Sequence, residues 1–219
     1  CRIIRYKIDD EISFADVRIL KEMEVRDIRS INGFRLADEI LSVIPSHSNF
    51  KVLLHCVKYW AKVNDLYSNI LGFFGGITWA ILAARISQLY PCAVPSVLIL
   101  KFFYLFSHWK WEEIPIVLKK IDFGPHGMTY PQWNLDAVDR NKLMSIVTPT
   151  YPEQNTCHNI TASTRTVITI KLKRAYEIVR KIMNNEESWP ALFVPVNFFQ
   201  TYLHFLILTI DSTTDVNLL

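Results

Sequence analysis

Apolar residues recur along this chain at intervals of three and four. From position 50 the stripe Phe50, Leu53, Leu54, Val57, Trp60 and Ala61 predicts a helix with one face on a core. Ser48 stands where it can cap that helix. A shorter helical stretch precedes it, from about residue 35 to 44, opened by Asn32-Gly33 and stopped by Pro45. The Gly75-Gly76 pair opens a third helix that ends near Tyr90-Pro91, and a fourth runs from about Pro95 to Trp109. A long amphipathic helix spans about 161–185, with Val167, Ile170, Ala175, Ile178, Val179 and Ile182 on its buried side, and a short helix follows at 189–193. Trp60, Trp79 and Trp109 fall on apolar stripes and read as core.

The two edges have a different period. Residues 3–18 (IIRYKIDDEISFADVR) read as two short strands around Asp9-Asp10, with Ile12 and Phe14 alternating with smaller or polar side chains. Residues 19–30 are charged and read as a connector. Residues 110–135 carry much of the Pro, Gly and Trp punctuation and predict an ordered, irregular excursion. Residues 144–152 (MSIVTPTYP) read as extended, because a residue before proline is pushed away from the helical region. Residues 197–210 (NFFQTYLHFLILTI), rich in aromatic and β-branched side chains, predict a strand. A lone strand cannot close a sheet, so it reads as the first element of a further domain.

Composition narrows the class. Of 219 residues half are apolar, which supports a sizeable core and excludes disorder, collagen and coiled coil. The net charge of +3 permits an RNA or phosphate partner without demanding one. The charge-free run at residues 68–84, closed by Arg85, falls short of the roughly 20 residues that cross a bilayer and is interrupted by Gly75-Gly76, so no membrane span is expected. Cys1, Cys56, Cys92 and Cys157 lack the close spacing of a zinc or redox motif and read as free thiols. The histidines are scattered, with no pair at helical metal spacing. The triplet Asn159-Ile160-Thr161 reads as a helix-start cap rather than a glycosylation site. The chain begins with Cys1, which is expected of a segment of a longer protein or of one from which something was removed.

Candidate chemistry gathers between the second and third helices. Lys58, Tyr67, Asn69 and Gly75-Gly76 lie within 19 residues. A helix N-terminus with glycine offers free N–H groups and close approach. A lysine can meet phosphate charge, and a tyrosine supplies a hydroxyl or a stacking face. Gly75 itself reads as structural.

The order of these residues is more specific than their chemistry. The run KYWAKVNDLYSNILGFFGGITWAILAARISQLYP (58–91) resembles the central-domain signature of eukaryotic poly(A) polymerases. So do SINGFRLADEILSVIP (30–45), FFYLFSHWKW (102–111) and IVTPTYPEQNTCHNITAST (146–164), in the family's order and with near-family spacing. The resemblance implies a mainly α fold, with α+β edges: residues 1–20 the last strands of a nucleotidyltransferase domain, 21–195 the helical central domain, and 196–219 the start of an RRM-like RNA-binding domain.

It implies a function as well, the transfer of AMP from ATP to mRNA 3′ ends, in the nucleus, by a monomer working with mRNA 3′-processing factors. The family's phosphate-contacting lysine falls on Lys58, its triphosphate-contacting tyrosine on Tyr67 and its cleft asparagine on Asn69. The pair beside the adenine falls on Gly76-Ile77, the threonine near the adenine on Thr148, and a second cleft asparagine on Asn32. The complete enzyme uses Mg²⁺ (or Mn²⁺), held by three aspartates.

Here the chain departs from the family pattern. It contains neither a Gly-Ser dipeptide nor an Asp-x-Asp, and Ser13 stands at the third metal-aspartate position, in EISFADVR. Serine is a poor substitute for a carboxylate on a hard cation. Asp16, three positions along a strand, lies on the opposite face unless a bulge intervenes. This chain by itself is therefore expected to be inactive, with no catalytic residue of its own. A non-catalytic relative acting as an RNA- or protein-binding module is the alternative that Ser13 favours.

Overall fold

The computed structural model describes residues 20, 23, 25–121, 143–201, 204–207 and 209. The strand readings at 3–18, Ser13 included, and most of the excursion beyond residue 121 lie outside these. What is described is mainly helical: α1 (Val25–Ser42), α2 (His47–Val63), α3 (Gly76–Leu89), α4 (Pro95–Ser107), α5 (Ala162–Met183), a 3-10 turn (Trp189–Phe193) and α6 (Phe198–Thr201).

α2 forms where its stripe predicts, and buries Phe50, Leu53, Val57, Trp60 and Ala61. Its cap is Ser46, not Ser48. The Ser46 backbone is extended and its hydroxyl accepts from the Asn49 N–H, while Ser48 already lies inside the first turn. α1 starts earlier than its pattern suggests, at Val25, so residues 25–30 of the charged connector are helical. Charged residues there leave too narrow an apolar stripe to read, and the helix is anchored instead by Ile28, Leu36 and Ile40.

α3 is apolar all round, with nine buried residues from Thr78 to Ser87, and is the central rod of the core. α2 and α4 pack on it, and α5 packs on α4. The seams are aromatic. Trp60 meets Trp79 edge-on at 5.9 Å and Phe103 at 4.8 Å, and Phe74 meets Trp79 at 4.9 Å. Such pairs add about 0.5–1.5 kcal/mol each to the area they bury. Trp60 and Trp79 are core as expected. Trp109 is half-buried at the edge, where its indole N–H donates to the Ile114 carbonyl.

α5 begins at a capping box, with Thr161 as the cap; of the Asn-Ile-Thr triplet it is the threonine that does the capping. Its buried side is Ile168, Leu172, Ala175, Val179 and Ile182. The reading of Ile170 as buried is corrected: it is 59% exposed. Positions 168, 172, 175, 179 and 182 keep strict three-and-four spacing, and 170 falls between two of its rows.

Of the stretch read as extended, 144–152, residues 144–148 are extended and 149–152 bend, so that the chain doubles back; isolated bridges of Ile146 to Ile116 and of Val147 to Asn155 hold it. The strand reading at 197–210 is also corrected. Residues 198–201 are helical, and 204–207 and 209 carry no strand. Aromatic and β-branched composition indicates a strand only where a partner strand takes the backbone groups, and Asn197 instead opens a helical turn by accepting from Gln200 and Thr201.

No described helix is long and apolar enough to cross a membrane. Cys56, Cys92 and Cys157 are free, and burial pushes the thiols of Cys56 and Cys157 up to about 12.

The chain's own geometry separates paired residues in two tests. Leu172→Ala should cost about 2–5 kcal/mol in denaturant unfolding, whereas Ile170→Ala should stay within about 0.5 kcal/mol; equal losses would mean that the helix is rotated. Alkylation at pH 8 with peptide mapping should label exposed Cys92 far ahead of Cys56 and Cys157, because the reactive species is the thiolate. Comparable labelling of all three would contradict their burial.

Candidate functional site

The link between α2 and α3 makes the site. Leu66 and Phe74 are fully buried and pin its two ends to the core. Between them the chain turns tightly: the Gly72 N–H donates to the Asn69 carbonyl, and the Phe73 N–H to the Ser68 carbonyl. Gly72 has φ of 79°, and a Cβ there would stand 2.9 Å from the Asn159 carbonyl oxygen, so the turn requires glycine. The Asn159 amide donates back to the Asn69 carbonyl at 3.1 Å, tying the turn to the segment before α5.

This turn throws Tyr67 across the start of α3. A Cβ placed on Gly76 would lie 2.7 Å from the Tyr67 hydroxyl and 3.7 Å from Lys58 Nζ. A phenol, an ammonium and the first residue of a helix thus converge on one point. The first bond of α3 runs from the Trp79 N–H to the Gly75 carbonyl, so the N–H groups of Gly76, Ile77 and Thr78 precede it and are free of the helix. Asn69 sits beside Gly75, its Cβ 3.5 Å from where a Gly75 Cβ would be, and its side-chain oxygen is buried without a hydrogen bond. Ile77 is half-buried against the core.

Lys62, which the sequence reading did not single out, belongs here too. Its Nζ lies 5.3 Å over the Tyr67 ring, a cation–π distance. It is one turn beyond Lys58 on the same face of α2. Burial, with Lys62 second, holds the Lys58 ammonium below its ordinary range. Two lysines four apart on one helix face repel, and the spacing K-x-x-x-K was the signal available.

Thr148 and Asn32 fall in a neighbouring assembly. Thr148 is buried; its hydroxyl accepts from the Gln154 N–H and its own N–H donates to the Gln154 carbonyl. Asn32 accepts from Arg35, whose guanidinium is almost wholly buried and also donates to the Tyr151 carbonyl at 2.7 Å. Burial holds Arg35 below the usual arginine range, and Glu39 on the next turn offsets this. Thr148 and Asn32 are therefore joined to the first group through the 144–161 segment, which grips α1 at Tyr151 and the Asn69 turn at Asn159.

No group of three or more His, Cys, Asp or Glu that can hold a metal ion occurs among the described residues. The described wall therefore does not fit Mg²⁺, and offers cations, a phenol and backbone N–H groups instead.

A helical core that presents a cationic helix start is the class of structure found here, and comparison with known proteins places it. Residues 49–195 match the poly(A) polymerase central domain, and residues 1–44 the poly(A) polymerase nucleotidyltransferase domain. The chain is 40% identical over 210 residues to the poly(A) polymerase pla1 of Schizosaccharomyces pombe, covering 95% of this chain. It is 40% identical to two poly(A) polymerases of Candida albicans, PAPa over 202 residues and PAPalpha over 210. The chain belongs to the poly(A) polymerase family. It spans about 36–37% of the length of these relatives.

Two glycines test the turn. Gly72→Ala should lose more than about 1 kcal/mol, from its positive φ and the nearby carbonyl. Gly33→Ala, in a helix with open space around it, should gain about 0.5–1 kcal/mol. Thermal unfolding of the two variants reads both; a neutral Gly72 substitution would mean that the turn is not built as described.

Proposed function

We propose that this chain is the nucleotide- and RNA-facing central domain of a polyadenylating enzyme, one that adds AMP from ATP to the 3′ ends of mRNA in the nucleus. The observation that carries this is the convergence of Lys58 Nζ and Tyr67 Oη on Gly76 at the start of α3. The relatives' own names, poly(A) polymerase, support the reaction class.

On this reading the ammonium of Lys58 meets the triphosphate, with Lys62 as a second cation and the Tyr67 hydroxyl donating a hydrogen bond. The free N–H groups of Gly76 and Ile77 add the positive end of the helix. Glycine at 76 leaves room for the nucleotide to approach the backbone, and the Ile77 side chain offers an apolar branch to the base. Asn69, with its unpartnered buried oxygen, supplies an acceptor next to the pocket. Thr148 and Asn32 form the adjoining part of the wall. Mg²⁺ or Mn²⁺, when bound by the complete enzyme, would activate the attacking 3′ hydroxyl and steady the leaving pyrophosphate. Its ligands are outside the described residues. We further infer a monomer that meets mRNA 3′-processing factors.

The second reading, a non-catalytic relative that binds RNA or protein, is favoured by Ser13 at the third metal-aspartate position. Primer extension on oligoadenylate by the whole protein, with ATP and Mg²⁺, separates the two. The polymerase reading expects extension that Ser13→Asp raises. No extension from either form would establish the non-catalytic relative.

Titration calorimetry with ATP tests the pocket. Lys58→Ala should weaken ATP about 10- to 100-fold, the loss of one hydrogen bond to a charged group. Affinity should also fall as pH rises through the Lys58 pKa. The protonated form is the one that binds, and burial moves that fall to the acid side of 10.5. An ATP affinity indifferent to Lys58→Ala would remove Lys58 from the pocket.

A further inference from the structure

A second cationic surface lies on the outer side of α4, built from side chains that the Lys58 site does not use. Lys101 Nζ stands 5.3 Å over the Tyr90 ring and 6.0 Å over the Tyr104 ring. Tyr104 is in turn 5.1 Å from the His108 ring and 5.4 Å from Tyr176 of α5, and His108 and Tyr176 meet edge-on at 5.8 Å. Four rings and a cation thus form one continuous row.

The row is exposed where it matters. Tyr104 is 44% exposed, His108 is exposed, and Lys101, Tyr90 and Tyr176 are half-buried. The His108 ring is also held in place: its Nδ1–H donates to the Tyr104 carbonyl at 2.9 Å, which turns the other ring nitrogen away from the helix. From Lys101 to His108 the row runs about 10 Å along α4, at 1.5 Å per residue; Tyr90 adjoins it at Lys101, and Tyr176 flanks it at Tyr104 and His108.

Its charge is one-sided. Lys101 has no carboxylate partner among the described residues, nor has Lys173, which stands one turn before Tyr176 on α5. The acid next to Tyr176, Glu177, is bridged to Arg180 at 2.8 Å. An unpaired cation interleaved with ring faces is the combination that grips a single-stranded nucleic acid. Phosphates meet the lysines, and bases of any identity stack on the rings. An acidic peptide would satisfy the lysines but leave the rings without flat partners.

We propose that the row of Tyr90, Lys101, Tyr104, His108 and Tyr176 is a second binding surface, for two to three nucleotides of single-stranded RNA, separate from the Lys58 pocket. It stands on side chains outside that pocket, and its test reads the two independently.

Fluorescence anisotropy of a labelled 15-mer oligoadenylate, titrated with the whole chain in the absence of ATP, is the measurement. Tyr104→Ala should weaken binding about tenfold, the loss of one stacked base, and Tyr104→Phe should retain it. Lys101→Gln, with circular dichroism to show that the helices are retained, should weaken binding and lower the salt dependence by about one phosphate contact. Neither should change ATP affinity. The proposal is overturned if the unaltered chain does not bind oligoadenylate, or if Tyr104→Ala and Lys101→Gln bind it as well as the parent. It is also overturned if Tyr104→Phe loses as much as Tyr104→Ala, or if an aspartate-rich peptide binds the row and oligoadenylate does not.

Discussion

The edge-on contact of Trp60 with Trp79 decides where everything else in the candidate site can stand. Both indoles are buried, one from α2 and one from α3, and together with Phe103 and Phe74 they lock the two helices in register. With that register set, the link between the helices has little freedom. Leu66 and Phe74 are drawn fully into the core at its ends, and the residues between them must turn outward. Tyr67, next to Leu66, is therefore delivered over Gly76, and Lys58, flanking the buried stripe of α2, is delivered beside it. The convergence is a consequence of aromatic packing several ångströms beneath it. A loosened Trp60–Trp79 seam would scatter the site without touching any of its polar groups.

The segment at 144–161 does the same work from the other side. Its backbone is held by Asn155, whose side chain accepts from the Ile146 and Cys157 N–H groups and donates to the Met144 carbonyl. That clasp makes an irregular stretch rigid without a sheet. One end then takes the buried guanidinium of Arg35, and the other holds the Asn69 turn through Asn159. Burying an arginine is expensive unless its donors are met, and meeting them at the Tyr151 carbonyl turns the cost into a fixed distance between α1 and the segment. Thr148 and Asn32 inherit their positions from that link.

Much of this was legible in the residues. The α2 stripe, the α3 start at Gly76 and the extended backbone at 144–148 follow from spacing and from proline, and the structure has them. Lys58, Tyr67 and Gly76 were picked out by order along the chain, and they do meet. What spacing could not supply was anything set by distant partners. Ile170 is apolar and lies in the right helix, yet only the packing of α5 on α4 decides which row faces inward. Ser46 and Ser48 are chemically equal as caps until the first turn is placed. The strand expected at 197–210 rested on composition, which reports what a side chain tolerates rather than which backbone groups have partners. Arg35 and Asn159 act through residues more than 80 positions away, and no local pattern points to them.

The electrostatics of the site follow from the same burial. Lys58 and Lys62 are held one turn apart against the apolar wall, where burial and then the neighbouring Lys62 raise the cost of charging Lys58. Neither has a carboxylate partner among the described residues, so the helix face carries an uncompensated repulsion. The Tyr67 ring relieves part of it by lying under Lys62. On the proposed reading a polyanion at Gly76 would relieve the rest, and the wall would gain little from a neutral nucleoside and most from a ligand that carries several negative charges at the start of α3. Tight aromatic packing below is what allows the strain above to persist, because the core does not yield to relax two lysines at its surface.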